Sequence, residues 1–219
     1  MRRHATREDN RLKAFVEGSD STLSANVLMA LILLFVLLPS PADAHMGTGL
    51  AGGFVSGFLH PLSGADHMLA MVSVGLWGAF LGRPMVVALP VIFPNMMSIG
   101  AGIGMAGIPL PPVELGIAVS VFVLGLMILF AVRAPNIVAL AVVALFGLFH
   151  GYSHGVELPS AADPVGYSMG FVLCTGLLHV AGIALGGLRN LPSGTRLLRS
   201  GGAIIAVFGA MFLKQAIAT

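Results

Sequence analysis

The scarcity of charge in the body of this chain constrains its fold more than any other feature. From His45 to Thr219, 175 residues carry only ten Asp, Glu, Lys or Arg side chains, whereas the first 20 residues carry nine. Soluble chains have charge on about 25% of their residues, and this sequence has 9%. The body therefore predicts an integral membrane protein, and its long apolar runs indicate an all-α protein rather than a spanning barrel.

The composition also excludes several kinds of partner and site. The net charge is only +2 and no basic stripe is present, which excludes nucleic acid as a partner. The single cysteine, Cys174, excludes a disulfide framework and a cysteine-rich metal site. Any site is therefore built from His, Asp, Glu, Met and backbone oxygens.

The N-terminus has the pattern of a secretory signal peptide. Five basic residues between Arg2 and Lys13 precede an apolar run over about 27–38 and an Ala-x-Ala sequence that ends at Ala44. We predict cleavage after Ala44, which leaves 45–219 as one transmembrane domain in a bacterial inner membrane, with His45 on the outer side. An uncleaved first helix is the alternative, and the long basic region also permits a start codon further downstream.

The apolar stretches predict six transmembrane helices, because a crossing needs about 20 residues. Their expected bounds are about 64–82, 84–106, 113–132, 135–153, 164–187 and 200–218. The stretch 47–60 is short and has five glycines, so it predicts a re-entrant or half-membrane helix. Arg83, Arg133 and the arginines of 189–199 fall in alternate loops, which places those loops in the cytoplasm. The second interpretation of this stretch is a full crossing at 47–60, which would put Arg83 on the outer side.

The first group of ionisable residues at membrane depth runs from His60 to Asp66 and His67. Such residues are costly in a bilayer and mark function. Pro61 and Gly64 are expected to break the helix between them, which would let side chains from two segments converge.

The second group contains His150, His154 and Glu157, which project from one face of a helix. Four imidazoles and two carboxylates suit a borderline divalent transition metal, and the absence of thiolates favours an ion that can be released. The predicted orientation brings both groups to the outer membrane face, together with Glu114. The alternatives are hydrogen bonds between helices or solvated side chains, and for an acid near a helix end, a cap.

The second span contains three prolines, at positions 84, 90 and 94. They are expected to break the helix near mid-membrane, where irregular backbone is tolerated if it lines a cavity. Asn95, Met96 and Met97 are then candidate weak ligands along a path. The alternative is a kinked, well-packed helix with methionine as filler.

Two further features bear on the same region. Gly147, Gly151 and Gly155 form a stripe of small residues beside the histidine face, which predicts close approach of a neighbouring helix. His179 is isolated in the fifth span and is interpreted as a hydrogen-bonded interior histidine.

At these residues the chain resembles the HupE/UreJ family, membrane permeases associated with nickel supply to hydrogenase and urease, with relatives linked to cobalt. The family pattern of a His, five residues and Asp-His is matched by His60, Asp66 and His67. The pattern Phe-His-Gly-x-Ala-His-Gly-x-Glu is matched over 149–157, with Ser153 in place of Ala. The family also has a Phe, a Glu and a mature N-terminal His at the positions of Phe93, Glu114 and His45. On this ground Phe93 is added to the candidate residues along the ion path.

Residues and resemblance together predict a permease and not an enzyme. A divalent ion, nickel by the resemblance, would enter from the periplasm and pass to the cytoplasm for metalloenzyme maturation, with no resident cofactor. The predicted metal ligands are His60, Asp66, His67, His150, His154 and Glu157, with Glu114 and His45 added. The alternatives are a cobalt permease, a membrane-embedded zinc hydrolase and a two-histidine haem protein. The bilayer is the other partner, and the sequence leaves homo-oligomerisation open.

Overall fold

A computed structural model describes residues 53–110, 112–157 and 163–218 of the chain, apart from the side chain of Glu157. Within these ranges the protein is all-helical, with seven α-helices and one short 3-10 helix at Gly187–Asn190. The α-helices are α1 Phe54–Ser63, α2 Ala65–Leu81, α3 Met85–Met105, α4 Val113–Leu129, α5 Asn136–Glu157, α6 Pro164–Gly186 and α7 Gly194–Ala218. The predicted signal peptide and its cleavage at Ala44 lie outside the described residues.

Four of these helices, α3, α5, α6 and α7, are long and apolar enough to cross a membrane. The bent pair α1 and α2 qualifies together as a fifth span. Helix α4 is apolar but has only 17 residues. The chain is therefore a multi-pass membrane protein, and the count of six spans stays a prediction. Valine, leucine, isoleucine and methionine side chains on the outer faces of the helices are exposed, as a surface that faces lipid requires.

The first described helix is short and meets α2 at an angle of 86°. The turn occurs at Gly64, which has an extended backbone. This arrangement agrees with a re-entrant or half-membrane element, but the helix extends to Ser63 rather than ending at His60. Pro61 lies inside α1, so the expectation that it breaks the helix was wrong, and Gly64 alone makes the break.

Helix α3 is continuous from Met85 to Met105, with Pro90 and Pro94 inside it. The expected break near mid-membrane was therefore wrong. Of the alternative, a kinked, well-packed helix with methionine as filler, the unbroken and closely packed helix is confirmed. Proline removes an amide donor, but neighbouring helices and local side chains can compensate in a membrane. Here α3 packs closely on α5, with backbone contacts between residues 93 and 104 of α3 and the facing residues of α5.

Glycines allow α3 and α5 to touch backbone to backbone. A Cβ added at Gly151 would lie 1.9 Å from the carbonyl oxygen of Met97, and one at Gly155 would lie 2.2 Å from that of Ala101. At Gly147 the corresponding distance, to the carbonyl oxygen of Phe93, is 2.6 Å. The predicted glycine stripe is thus confirmed as a contact face, and α3 is the helix that it admits.

Two arginines contact the C-terminal ends of neighbouring helices. Arg189, after α6, donates to the carbonyl oxygen of Ala79 near the end of α2. Arg199 donates to the carbonyl oxygen of Leu129, the last residue of α4, at 2.7 Å. Cations at helix C-termini complement the exposed carbonyl groups there. Helix α7 begins at Gly194, six residues before the predicted start at 200, so Arg196 and Arg199 lie in the helix rather than in a loop.

Candidate metal centre

Four histidines from three helices form a continuous cluster of rings, which we call the outer histidine cluster: His60, His67, His150 and His154. The ring centroids of His60 and His154 are 4.8 Å apart, as are those of His67 and His154. His67 and His150 are separated by 5.0 Å. The break at Gly64 places His60 on α1 and His67 on α2, and α5 supplies the other two from successive turns. The predicted convergence of the two motifs is present in the described residues.

Asp66 determines which nitrogen of His67 faces the cluster. Its Oδ1 accepts a hydrogen bond from the His67 backbone amide at 2.8 Å and lies 2.9 Å from His67 Nδ1. A carboxylate oxygen accepts, so Nδ1 carries a proton, and in the neutral imidazole Nε2 then keeps its lone pair. His67 Nε2 is buried without a hydrogen-bond partner among the described residues. A carboxylate behind an imidazole is a common way to orient a metal-binding histidine.

A backbone carbonyl fixes the tautomer of His150 in the same way. His150 Nδ1 lies 2.9 Å from the carbonyl oxygen of Phe146, one turn earlier in α5. Because a carbonyl oxygen only accepts, Nδ1 donates and Nε2 retains its lone pair. The His150 side chain is fully buried, and its Nε2 has no partner among the described residues.

His154 lies between the other members of the outer histidine cluster. It is 7% exposed, and neither ring nitrogen has a hydrogen-bond partner in the described part of the chain. Buried polar atoms are normally satisfied, because leaving one unpaired costs about 1–3 kcal/mol. Four buried imidazole nitrogens, on His67, His150 and His154, have no partner among the described residues and are therefore available to bind a ligand.

His154 of the cluster lines a half-open cavity of about 220 Å³ between α3, α5 and α6. Its wall also includes Gly151 from α5, Met97 from α3 and Thr175 from α6. The cavity opens to the outer surface of the bundle, where Met105 and Val172 in its lining are 52% and 51% exposed.

The spacing of the rings suits a shared ion. Imidazole nitrogens bind transition metals at about 2.0–2.1 Å, which sets the centroids of two rings on one ion roughly 5 Å apart. The observed centroid separations are 4.8–5.0 Å. Among the described residues, no group of three or more His, Cys, Asp or Glu already surrounds one point closely enough to hold a metal. Sharing an ion therefore requires the rings to rotate.

Several predicted residues lie apart from the outer histidine cluster. Glu114 is exposed in the first turn of α4. Asn95 is exposed on α3 and donates to the Val91 carbonyl oxygen at 2.7 Å, while Met96 packs towards Gly147. The Glu157 side chain and the whole of His45 lie outside what the structure describes. Of the path candidates, Phe93 and Met97 are buried next to the cluster.

Sequence reasoning did not identify the contribution of α6. Phe171 packs on His154 with a centroid distance of 4.4 Å, and Tyr167 packs on His60 at 5.7 Å. A Cβ at Gly57 would lie 1.9 Å from the Tyr167 carbonyl oxygen, so α1 rests directly on α6. Aromatic residues in an apolar helix are too common to signal a site, although the spacing of Tyr167 and Phe171, four residues apart, places them on one face.

Comparison of the sequence with known proteins identifies its relatives. The profile described as HupE / UreJ protein matches residues 33–212. A curated relative, Protein HupE of Rhizobium leguminosarum bv. viciae, is 44% identical over 181 residues, which cover 83% of this chain and 94% of that protein.

The chain belongs to the HupE/UreJ family. This is a family of metal transporters and not of enzymes, so the zinc-hydrolase alternative is not retained. No solved structure matches the chain.

Proposed function

We propose that this chain is a permease that carries a divalent transition-metal ion, nickel first, from the periplasm to the cytoplasm of a bacterium for the maturation of a metalloenzyme. The ligand set is drawn from His60, Asp66, His67, His150 and His154. Glu157 joins it from its place at the end of α5 and His45 from the sequence pattern, whereas Glu114, which is exposed and lies apart from the cluster, is not part of this set. Rotation of the rings would close the set around the ion.

One observation carries the proposal: buried imidazole nitrogens without partners among the described residues belong to one cluster of rings beside a half-open cavity. Two of them, on His67 and His150, have their second nitrogen anchored by an acceptor. Such anchoring fixes the tautomer and raises the basicity of the ligand. It is the arrangement that a bound cation needs.

The donor types select the ion. Imidazole suits nickel, cobalt, copper, iron and zinc, and one carboxylate offsets part of the charge. The described residues include one cysteine, Cys174, which is buried and outside the cluster. Without a thiolate, the ligands hold a borderline cation firmly enough to collect it and loosely enough to pass it on.

The distribution of charge supports the proposed import from the periplasm, because it orients the histidine cluster in the membrane. Asp66 lies in the first turn of α2 and His154 in the last turn of α5. Arg189 and Arg199 contact the opposite ends of α2 and α4. Since basic residues stay in the cytoplasm, the outer histidine cluster opens to the periplasm of an inner membrane.

Cellular uptake of isotopic nickel tests the proposal. Cells that express the chain should accumulate nickel, and the His67→Ala and His154→Ala variants should lose at least about 90% of that uptake, since each removes a direct ligand. Lys214→Ala is the control, because this exposed residue near the end of α7 lies outside the site. Unchanged uptake in both histidine variants, at equal protein levels in the membrane, would refute the site.

Competition separates the two candidate ions. Nickel and cobalt share ligand preferences and differ by one step in the usual affinity order. If nickel is the substrate, excess cobalt should inhibit its uptake only partially. Stronger inhibition by cobalt than by unlabelled nickel would make the chain a cobalt permease of the same family.

A further inference from the structure

A fifth buried histidine lies deeper in the bundle than the outer histidine cluster. His179 on α6 is 1% exposed, and neither of its ring nitrogens has a hydrogen-bond partner among the described residues. The interpretation of this residue as a hydrogen-bonded interior histidine is supported by the approach of its ring to the Pro90 carbonyl oxygen, although that contact falls short of ordinary hydrogen-bond geometry. One carbonyl engages one ring nitrogen, so the other buried nitrogen still has no partner among the described residues.

Two helices give the same depth for this residue. Helices α2 and α6 pack together, and a Cβ at Gly75 would lie 2.1 Å from the His179 carbonyl oxygen. Gly75 is eight residues beyond His67, and His179 is eight residues beyond Phe171, which packs on His154. At about 1.5 Å per residue, both counts place His179 about 12 Å deeper in the membrane than His67 and Phe171.

Phe93 lies between the outer histidine cluster and His179. Its ring centroid lies 5.4 Å from that of His150 and 5.4 Å from that of His179, and it is fully buried. One aromatic side chain thus separates His150, the deeper histidine of α5 in the outer cluster, from His179. Rotation of a single ring would open contact between them.

Oxygen atoms are available around His179. Its imidazole lies next to the carbonyl oxygen of Pro90, although without a hydrogen bond of ordinary geometry. In a regular helix the amide of residue 94 would bond to that carbonyl, but Pro94 has no N–H, so the oxygen lacks its helical donor. Thr175 is one turn before His179 on α6, fully buried, with no partner for its hydroxyl in the described part of the chain, and it lines the cavity that His154 also borders.

We propose that His179, the Pro90 carbonyl oxygen and the Thr175 hydroxyl form a second, inner site for the divalent cation, which receives the ion from the outer histidine cluster past Phe93. This inference rests on the proposed permease function. One imidazole and two neutral oxygens bind more weakly than several imidazoles with a carboxylate. A weaker site deeper along the path suits an ion that has to leave.

Two variants at position 179 test the inner site by nickel uptake. His179→Gln keeps a side chain able to donate to the Pro90 carbonyl but lacks an imidazole ligand. It should lower the maximal uptake rate at least about tenfold and leave the half-saturating nickel concentration within about twofold, because the outer cluster that captures the ion is intact.

The second variant, His179→Cys, reports on ligation rather than on folding. A thiolate prefers softer cations, so cadmium should inhibit uptake at a concentration at least about tenfold lower than in the wild-type chain. Val180→Cys is the matched control, because residue 180 is 59% exposed on the outer surface of α6. It should match the wild type in cadmium sensitivity.

The outcomes distinguish the two proposals. If the wild-type chain takes up no nickel, the permease function fails and the inner site with it. If the wild type transports, and cadmium sensitivity is the same in His179→Cys and Val180→Cys, only the inner site is overturned. Uptake by His179→Gln at the wild-type maximal rate would also overturn it.

Discussion

The close contact of α3 and α5 at Gly151 makes a quantitative prediction for Gly151→Ala. The added methyl group would lie 1.9 Å from the Met97 carbonyl oxygen and 2.4 Å from the Met97 Cα. Both are backbone atoms, so no side-chain rotation relieves the clash. Ordinary contact begins at 3.4 Å, and the two helices must therefore separate by about 1.5 Å.

The expected loss of stability can be estimated from two opposing effects. Overpacking costs about 1–3 kcal/mol, and a clash with rigid backbone belongs at the upper end. Replacing glycine with alanine in a helix regains about 1 kcal/mol. The net loss of about 2 kcal/mol should lower the Tm of the purified protein in detergent by about 4–8 °C, at about 2–4 °C per kcal/mol for a chain of this size.

The same separation should impair transport. Phe93 and Met97 lie on the displaced helix, next to His150 and the cavity. A misplacement of about 1 Å can cost about two orders of magnitude in the rate of a step that depends on geometry, so we expect nickel uptake to fall at least about tenfold.

Gly102→Ala is the matched control for this prediction. It lies on α3, and nothing lies within 4 Å of its added Cβ. We expect its Tm to be unchanged or slightly raised and its uptake to equal that of the wild type. If Gly151→Ala behaved like Gly102→Ala in both measurements, the helix contact described here would be incorrect.

Two further predictions address charge and orientation. Asp66→Asn keeps an oxygen that can accept from the His67 amide but removes the negative charge, so the half-saturating nickel concentration should rise at least about tenfold; an unchanged value would remove Asp66 from the ligand set. In a Cys174→Ala background, an impermeant thiol reagent added to spheroplasts should label Pro109→Cys, in the loop between α3 and α4, and spare Arg133→Cys, between α4 and α5. The reverse labelling would invert the topology.

The sequence was sufficient to predict the outer histidine cluster because its spacing obeys helix geometry. His150 and His154 are four residues apart, so any helix places them on one face. Gly64 supplied the signal for the turn that brings His60 towards His67. The glycines of α5 likewise predicted the close approach of a neighbouring helix, because a residue without a side chain leaves room for another backbone.

The prolines of α3 show where sequence reasoning fails. A proline certainly removes an amide donor, but whether the helix then breaks depends on the helices packed around it. Here α5 supports α3 closely enough to keep it continuous. Helix α5 continues to Glu157, as the placement of His150, His154 and Glu157 on one helix face requires, whereas hydropathy alone marks the span only to about residue 153. Hydropathy detects the apolar part of a helix and does not extend to a polar last turn.

The role of α6 could not be predicted either. Phe171 and Tyr167 are ordinary residues for a membrane helix, and only the packing of α1 and α5 against α6 shows that they surround His154 and His60. His179 was visible as an ionisable residue at depth, but its proximity to Phe93 and Pro90 depends on how three helices pack together.

Reconstitution of the purified chain into liposomes tests the central claim most directly. With nickel outside and a metal-sensitive dye inside, liposomes that contain the wild-type chain should accumulate nickel well above the protein-free rate. Liposomes with the doubly substituted His67→Ala, His154→Ala chain should not exceed that rate. Accumulation at the wild-type rate by the double variant, or none by the wild-type chain under an imposed gradient, would contradict the account.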